Sequence, residues 1–399
     1  MRVPVPVTED IYWVGINDFE SDIFEAIWPI PEGISYNSYL IVDEKVALID
    51  TVKSCFMDMF FKRLAQVLPE GKSIDYLIIN HMEPDHSGAI ETARKYYPDI
   101  KIVGNKKTLE MLNSFYGVTE NTITVGEGDT LDLGRHKLQF ALTPMVHWPE
   151  TMMTYDITTK TLFSGDAFGG FGALRGGIFD DEVDLSFYEN EILRYFSNIV
   201  GKFSTMVQKA IAKLSSLEIQ NVCATHGPVF RSNPKYIIDV YDKWSRYEAE
   251  RGVVVVYASM YRNTQRMAEQ VARTLAEQNI EVVKMHNVSR SHLSYIINDI
   301  WRYKGVVLGS CTYNTKLFPL MDMAVCALNP ALMQKRVVGL FGSYSWSGGA
   351  LKSLKKHAED GKWEIVEPMI EAKSAPTIDN LQNCETLGRK VAQRVIAET

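Results

Sequence analysis

Long apolar runs are missing from this chain. No window approaches the roughly 18 uninterrupted apolar residues that a membrane-spanning helix needs, and no charged leader precedes an apolar stretch at the N-terminus. Neither a membrane span nor a secretory signal is expected, and the chain reads as cytoplasmic. Cysteine is sparse as well. Cys55, Cys223, Cys311, Cys326 and Cys384 are odd in number, scattered, and never spaced as CxxC. That excludes a disulfide framework and any cysteine-held zinc or rubredoxin-type iron site, and leaves reduced, mostly buried thiols. An excess of positive charge is absent too. A net charge of -7 argues against nucleic acid as a partner, because phosphate-backbone binding needs a clustered basic surface.

What is present is ample apolar material, 46% of 399 residues, enough for real cores in two or three domains. Up to about residue 240 short β-rich runs alternate with loops, at 38–42, 46–50, 75–80, 137–142, 161–164 and 221–225. Helical patterns intervene at 55–68 and 87–97, and a long one is expected over 187–217. This is a sheet-rich α/β pattern rather than a simple βαβ series. From Gly252 the rhythm changes. Strand candidates at 253–257, 280–285, 305–309, 336–341 and 363–366 alternate with helices, which predicts a doubly wound five-stranded parallel sheet. The boundary falls in the polar segment 243–252, giving domains of 1–250 and 251–399.

Four possible metal ligands crowd into His81-Met82-Glu83-Pro84-Asp85-His86, directly after an apolar run. In an extended loop His81, Glu83 and Asp85 would share one face and His86 would turn to the other, so the loop can serve two metals. Further candidates recur where later strands end: His147, Asp166 and His226. α/β folds collect their sites at such ends. Asp85 and Asp166 also suit ordinary turns, and His136, His286, His292 and His357 read as packed or surface residues. For the dense loop with three strand-end ligands, a metal site is the better reading.

The string His81-x-Glu83-x-Asp85-His86 followed by His147, Asp166 and His226 resembles the metallo-β-lactamase superfamily in order and spacing. That superfamily usually carries HxHxDH and a hydrolytic zinc pair. Here Glu83 replaces the second histidine, and a harder, more anionic ligand set favours iron. The departure resembles the flavodiiron proteins, as do Ile11-Tyr12-Trp13-Val14-Gly15, Ser35-Tyr36-Asn37-Ser38-Tyr39-Leu40-Ile41, His147-Trp148-Pro149, Gly165-Asp166-Ala167-Phe168-Gly169 and Thr225-His226-Gly227. The resemblance implies an N-terminal αββα sandwich of metallo-β-lactamase type. It implies one iron on His81, Glu83 and His147 and another on Asp85, His86 and His226, bridged by Asp166 and an oxo or hydroxo group. It also implies that Glu25, Trp148 and Tyr195 lie close to the metals.

The last 150 or so residues read independently as a flavodoxin-like module. After the strand at 253–257 comes Ser259-Met260-Tyr261-Arg262-Asn263-Thr264, leading into a helix. Backbone N–H groups and the Ser259 and Thr264 hydroxyls would cradle a phosphate there. Flavodoxins often have glycine at the position of Arg262. The third and fourth strands end in Ser310-Cys311-Thr312-Tyr313-Asn314-Thr315 and Gly342-Ser343-Tyr344-Ser345-Trp346-Ser347-Gly348-Gly349. Aromatic rings such as Tyr313, Tyr344 and Trp346 can pack on an isoalloxazine, while Ser310, Thr312, Asn314, Thr315, Ser343, Ser345, Ser347 and the Gly348 backbone can bond its edges. FMN is favoured over NAD, since no GxGxxG follows the strand at Val253.

A reduced flavin and a diferrous pair carry two electrons each, enough together to take O2 to water, while coupling two NO to N2O needs two. The expected activity is therefore reduction of O2 and/or NO, with FMN relaying electrons from an external donor. No CxxC pair lies within the chain, so a separate rubredoxin or another small redox protein is expected, with a deazaflavin such as coenzyme F420 as the alternative donor. Lys352, Lys355 and Lys356, on a helix after the Trp346 loop, are the candidate docking patch. The resemblance implies a head-to-tail homodimer, able to pair into a dimer of dimers, in which the FMN of one subunit meets the metals of the other. Two rival readings remain: a hydrolase of metallo-β-lactamase fold with a regulatory flavodoxin-like domain, and a flavin electron carrier with a structural metal domain.

Overall fold

The computed structural model describes residues 4–328 and 333–399. It divides into two compact units, Met1–Asp242 and Lys243–Thr399.

The first unit is built on two sheets. Seven strands pair in the order Val5–Pro6, Ile11–Trp13, Tyr39–Ile41, Ala47–Ile49, Tyr76–Ile78, Lys101–Gly104 and Thr122–Thr124. Five more pair in the order Thr130–Asp132, Lys137–Leu142, Met152–Asp156, Thr161–Gly165 and Asn221–Ala224. The inner faces meet: the Tyr39 ring lies 5.3 Å from that of Phe163, and the Thr154 hydroxyl donates to Asn80 Oδ1 at 2.7 Å. Leu40, Ile41, Leu48, Leu77, Ile78, Leu162 and Val222 are fully buried, which is why these strands read as unbroken apolar runs. Each such side chain stabilises the fold by about 1.5–3 kcal/mol.

Met152–Asp156 was not anticipated. Only one of its residues is β-branched, yet it is buried throughout and pairs antiparallel with strands on both sides, so tertiary context overrides its weak strand propensity.

The long helix expected over 187–217 is broken. Leu185–Tyr195 gives way to a π-helical stretch, Phe196–Val200, then a 3-10 turn, Gly201–Phe203, before Ser204–Leu214 resumes. Side chains compete with the helical ladder here: Asn198 Nδ2 and Ser197 Oγ both donate to the Arg194 carbonyl, at 2.7 and 3.2 Å. Such local bonds offer the backbone an alternative register.

In the second unit five parallel strands run in the order Val283–Asn287, Glu250–Ala258, Tyr303–Tyr313, Val337–Tyr344 and Glu364–Lys373, with the short Lys316–Leu317 antiparallel to the third in sequence. The first strand lies between the second and third, so the order reverses there. The loops after the first, third and fourth strands therefore gather at one crevice. The division at Asp242 precedes the 250/251 boundary read from the sequence. Residues 244–247 belong with the second unit because the carbonyls of Trp244, Arg246 and Tyr247 accept hydrogen bonds from Trp301, Lys335 and Arg336.

Candidate functional site

Several of the candidate ligands sit just beyond a buried strand. His81 and Glu83 follow Tyr76–Ile78, Asp166 follows Thr161–Gly165, and His226 follows Asn221–Ala224. Gly165 takes a left-handed φ of +60°, a turn that costs glycine little and that swings Asp166 inward. His147 lies beyond a turn after Lys137–Leu142. The 81–86 segment is not extended throughout. Pro84 at the first position starts a helical turn, Pro84–Ser87, because its fixed φ suits a helix start. The turn takes Asp85 away from the face shared by His81 and Glu83.

The result is two clusters: His81, Glu83, His147 and Asp166, and beside them Asp85, His86 and His226. In the first, Glu83 Oε2 is 3.1 Å from His81 Nε2 and 3.2 Å from His147 Nε2. Asp166 Oδ2 is 3.5 and 3.0 Å from the same two nitrogens. In the second, Asp85 Oδ2 is 3.3 Å from His86 Nε2 and 3.4 Å from His226 Nε2, while Asp166 Oδ1 is 3.0 and 3.8 Å from them. Asp166 thus turns one oxygen to each cluster. A carboxylate can give one oxygen to each of two cations, which a neutral imidazole cannot.

These groups are all nearly or fully buried, and several lack partners. Both Asp85 oxygens, both His86 nitrogens and His226 Nε2 are buried without a hydrogen bond, an arrangement that is costly unless something else satisfies them. Metal ions fit that demand. Burial disfavours the charged form of Asp166, but the charges of His86 and His81 outweigh it and hold the carboxyl well below its usual range. Burial likewise opposes ionisation of Glu83, and hydrogen bonds from His147 and His81 bring it down. Burial lowers His86, and Asp85 and Asp166 push it up to about 9. Without metal the His81, His86 and His147 imidazoles hold protons where cations would sit, so loading would release them.

Around the clusters Trp148 stands edge-on to His81, ring centroids 5.2 Å apart at 87°. Tyr195 is fully buried, its ring 5.5 Å from that of His226 and its hydroxyl unpartnered. Phe24 packs edge-on against His226 at 5.7 Å. Next to it Glu25 and Ala26 form the left-handed tip of a hairpin between Ile23–Phe24 and Trp28–Pro29. Glu25 accepts from Trp28 Nε1 at 3.0 Å, and partial burial, followed by the charge of Glu83, raises its carboxyl. Three neighbours were not singled out from sequence. Thr225 donates to Asp166 Oδ1, Ser35 offers its carbonyl to His226 Nδ1, and Glu150 accepts from His81 Nδ1. Thr225 and Ser35 lay inside strings that carried the resemblance, and Glu150 stands one residue beyond another.

In the second unit a cleft is lined by Ser259, Met260, Tyr261, Asn263, Thr264, Thr312, Ser343, Tyr344 and Ser345, joined by Cys311 and Ser374. Asn314, Thr315, Trp346 and Ser347 line an adjoining one with Met260, Thr312 and Ser345. Four sequence candidates stay off these walls. Ser310 Oγ is spent on Cys311 O and the Phe318 N–H, Tyr313 packs edge-on to Phe318 at 6.2 Å, Gly348 faces the Glu371 carboxylate, and Arg262 acts through its backbone. Arg262 takes φ 67° at the start of helix Asn263–Glu277, whose first N–H groups have no side-chain cap. Ser259 Oγ is buried without a partner. A phosphate fits both demands. Ser374, left-handed at φ 61°, gave no signal in the sequence.

Residues 34–227 match the ODP family beta lactamase and residues 255–388 match flavodoxin. The chain is 36% identical over 396 residues to the anaerobic nitric oxide reductase flavorubredoxin of Escherichia coli O1:K1 / APEC, covering 98% of this chain and 82% of that protein. The rubredoxin:oxygen oxidoreductase of the anaerobe Desulfovibrio gigas superposes with a TM-score of 0.94 at 28% identity, covering 99% of each chain. The flavodiiron protein of Giardia intestinalis gives 0.94 at 30% identity, covering 100% of this chain and 98% of that one. With both family models matched in this order and these relatives matched over nearly the whole chain, this chain belongs to the flavodiiron protein family.

Proposed function

We propose that this oxidoreductase reduces O2 to water and/or NO to N2O, with electrons passed by FMN from an external donor such as rubredoxin. The observation that carries the reading is the division of Asp166 between two histidine–carboxylate clusters. His81, Glu83 and His147 would hold one iron, Asp85, His86 and His226 the other, and Asp166 an oxygen on each. The unit Met1–Asp242 would carry this centre and Lys243–Thr399 the flavin. Two ferrous ions and reduced FMN supply four electrons when bound, the number that O2 reduction to water consumes.

The chain's own groups prepare the site for a small gas. Trp148, Phe24 and Tyr195 wall it with aromatic surface, which excludes bulk water and strengthens the electrostatics inside. The Tyr195 hydroxyl, buried and unpartnered, is free to donate to a polar group arriving there. Glu25, at the exposed tip of its hairpin, is close enough to Glu83 for that charge to favour its neutral form. In the second unit Ser259, Thr264 and the N–H groups after Arg262 would take the phosphate. Tyr261, Tyr344 and Trp346, with the polar groups of 312–315 and 343–347, would surround the ring.

The O2-reducing and NO-reducing relatives both bear on the substrate. A head-to-tail homodimer, bringing the flavin of one copy to the metals of the other, supports electron transfer between the two sites. Location in the cytoplasm fits the reduced cysteines; no helix among the described residues is long and apolar enough to cross a membrane. Metal analysis with a visible spectrum tests the assignment. About two irons and one FMN per chain are expected from this ligand count; zinc without flavin refutes it.

A further inference from the structure

The two ligand sets are matched in composition. Each would give its metal two imidazoles, one terminal carboxylate and one oxygen of Asp166. Behind these ligands the match ends. Glu150 is 1% exposed, and its Oε1 lies 2.8 Å from His81 Nδ1 and 2.9 Å from the Met82 N–H. Its Oε2 is buried with no partner, so His81 receives the carboxylate's charge without a competing cation. His226 Nδ1 instead donates to a neutral peptide carbonyl, that of Ser35, at 2.7 Å. His86 Nδ1 is buried without a hydrogen bond; the buried Asp50 carboxyl feels the charge of His86 but spends its Oδ1 on the Asn80 and His81 N–H groups rather than on the ring.

A carboxylate behind a ligating histidine fixes the tautomer, aims Nε2 at the metal and raises the ring's donor strength. A neutral carbonyl does the first two and less of the third. A buried negative charge close to one metal also favours its higher oxidation state, because like and unlike charges interact strongly where water is excluded.

Resting on the diiron reading above, we propose that Glu150 makes the two metal positions unequal. By backing His81 it makes the position of His81, Glu83 and His147 the tighter and the harder to reduce, leaving the position of Asp85, His86 and His226 to lose iron first and to take the first electron. Glu150 is a positioning residue: it touches a ligand and no reacting atom.

The test uses the full-length protein, stripped of metal and reloaded anaerobically with a Mössbauer-active ferrous isotope in rising ratio. The wild type is expected to fill in two steps separated by about tenfold or more in affinity, with one Mössbauer signal appearing first. That signal should persist in Asp85→Asn, which removes a ligand of the other position. Glu150→Gln keeps an acceptor for His81 but removes the charge. It should weaken the first step by about 10–100-fold and leave the second in place. On stepwise reduction of the oxidised loaded protein, the wild type should convert one signal to ferrous before the other, and Glu150→Gln should convert the two together. Coincident filling in the wild type, loss of the first-filling signal in Asp85→Asn, or equal weakening of both steps by Glu150→Gln each overturn the proposal. Should Glu150→Gln fail to fold, Glu150→Asp, which keeps the charge on a shorter arm, takes its place, and coincident filling in the wild type or loss of the first signal in Asp85→Asn still overturns the proposal. A wild type that takes up no iron pair refutes the diiron reading instead, a separate outcome from equal binding.

Discussion

The hydroxyl of Thr225 donates to Oδ1 of Asp166 across 2.5 Å, holding the oxygen that faces Asp85, His86 and His226. The carboxylate that joins the two clusters is thereby fixed from the neighbouring strand end. Thr225→Val removes the bond and keeps the shape. We expect iron affinity at the Asp85, His86 and His226 position to fall by about tenfold, with Thr225→Ser close to wild type. Iron per chain after dialysis against a chelator measures it; full retention by Thr225→Val contradicts the role given to the hydroxyl.

The phosphate end of the flavin cleft makes a second prediction. Ser259 Oγ has no protein partner, so Ser259→Ala loses only what it gives the ligand, about 1 kcal/mol or roughly fivefold in FMN affinity. Thr264 Oγ1 lies 2.8 Å from Ser343 Oγ and joins two of the ligand loops. Thr264→Val should therefore cost FMN affinity and thermal stability together. Titration of the flavin-free protein with FMN, beside melting curves without flavin, separates the two cases.

The basic helix after the Trp346 loop makes a third. Lys352, Lys355 and Lys356 are exposed on Ala350–Asp360, and among the described residues only Lys355 has a carboxylate within ion-pair distance, Glu359 at 3.7 Å. Reversing all three charges should slow oxidation of an acidic donor by about tenfold or more at low salt, with the difference closing as salt screens the encounter. An unchanged rate at low salt removes the helix as the docking surface.

His357 makes a fourth, on stability. Its ring stands edge-on to Trp363 at 5.9 Å, and burial holds its pKa below the usual 6.5. A folded pKa below the unfolded one favours the neutral ring in the fold. The contribution is present above pH 6.5 and is lost as pH falls through the lower folded value. His357→Gln should flatten the acid limb of the second unit's stability curve over that window, read by flavin-free melting from pH 7 to about 5. An identical limb in the variant counts against it.

Much of the site was legible because its ligands stand where buried strands end, and buried strands announce themselves as apolar runs. His81, Asp166 and His226 were found that way. The assignment of Asp85 to the same face as Glu83 failed because it assumed an extended loop, whereas Pro84 starts a helical turn. Glu150 was invisible for a different reason: a glutamate after Trp-Pro reads as solvated turn chemistry, and only the fold shows it sealed behind His81. In the second unit the three loops were legible from strand rhythm alone. Which residues face the cleft was not, since Ser310 and Tyr313 satisfy Phe318 instead, and Ser374 enters through a left-handed turn with no sequence signal.

The most direct test mixes the anaerobically reduced protein, carrying its iron and FMN, with O2 or NO in a stopped-flow spectrometer and follows flavin reoxidation together with products. The account predicts rapid reoxidation by at least one gas, with water and no released peroxide from O2, or N2O from NO. Flavin that stays reduced against both gases in a protein loaded with iron would contradict it.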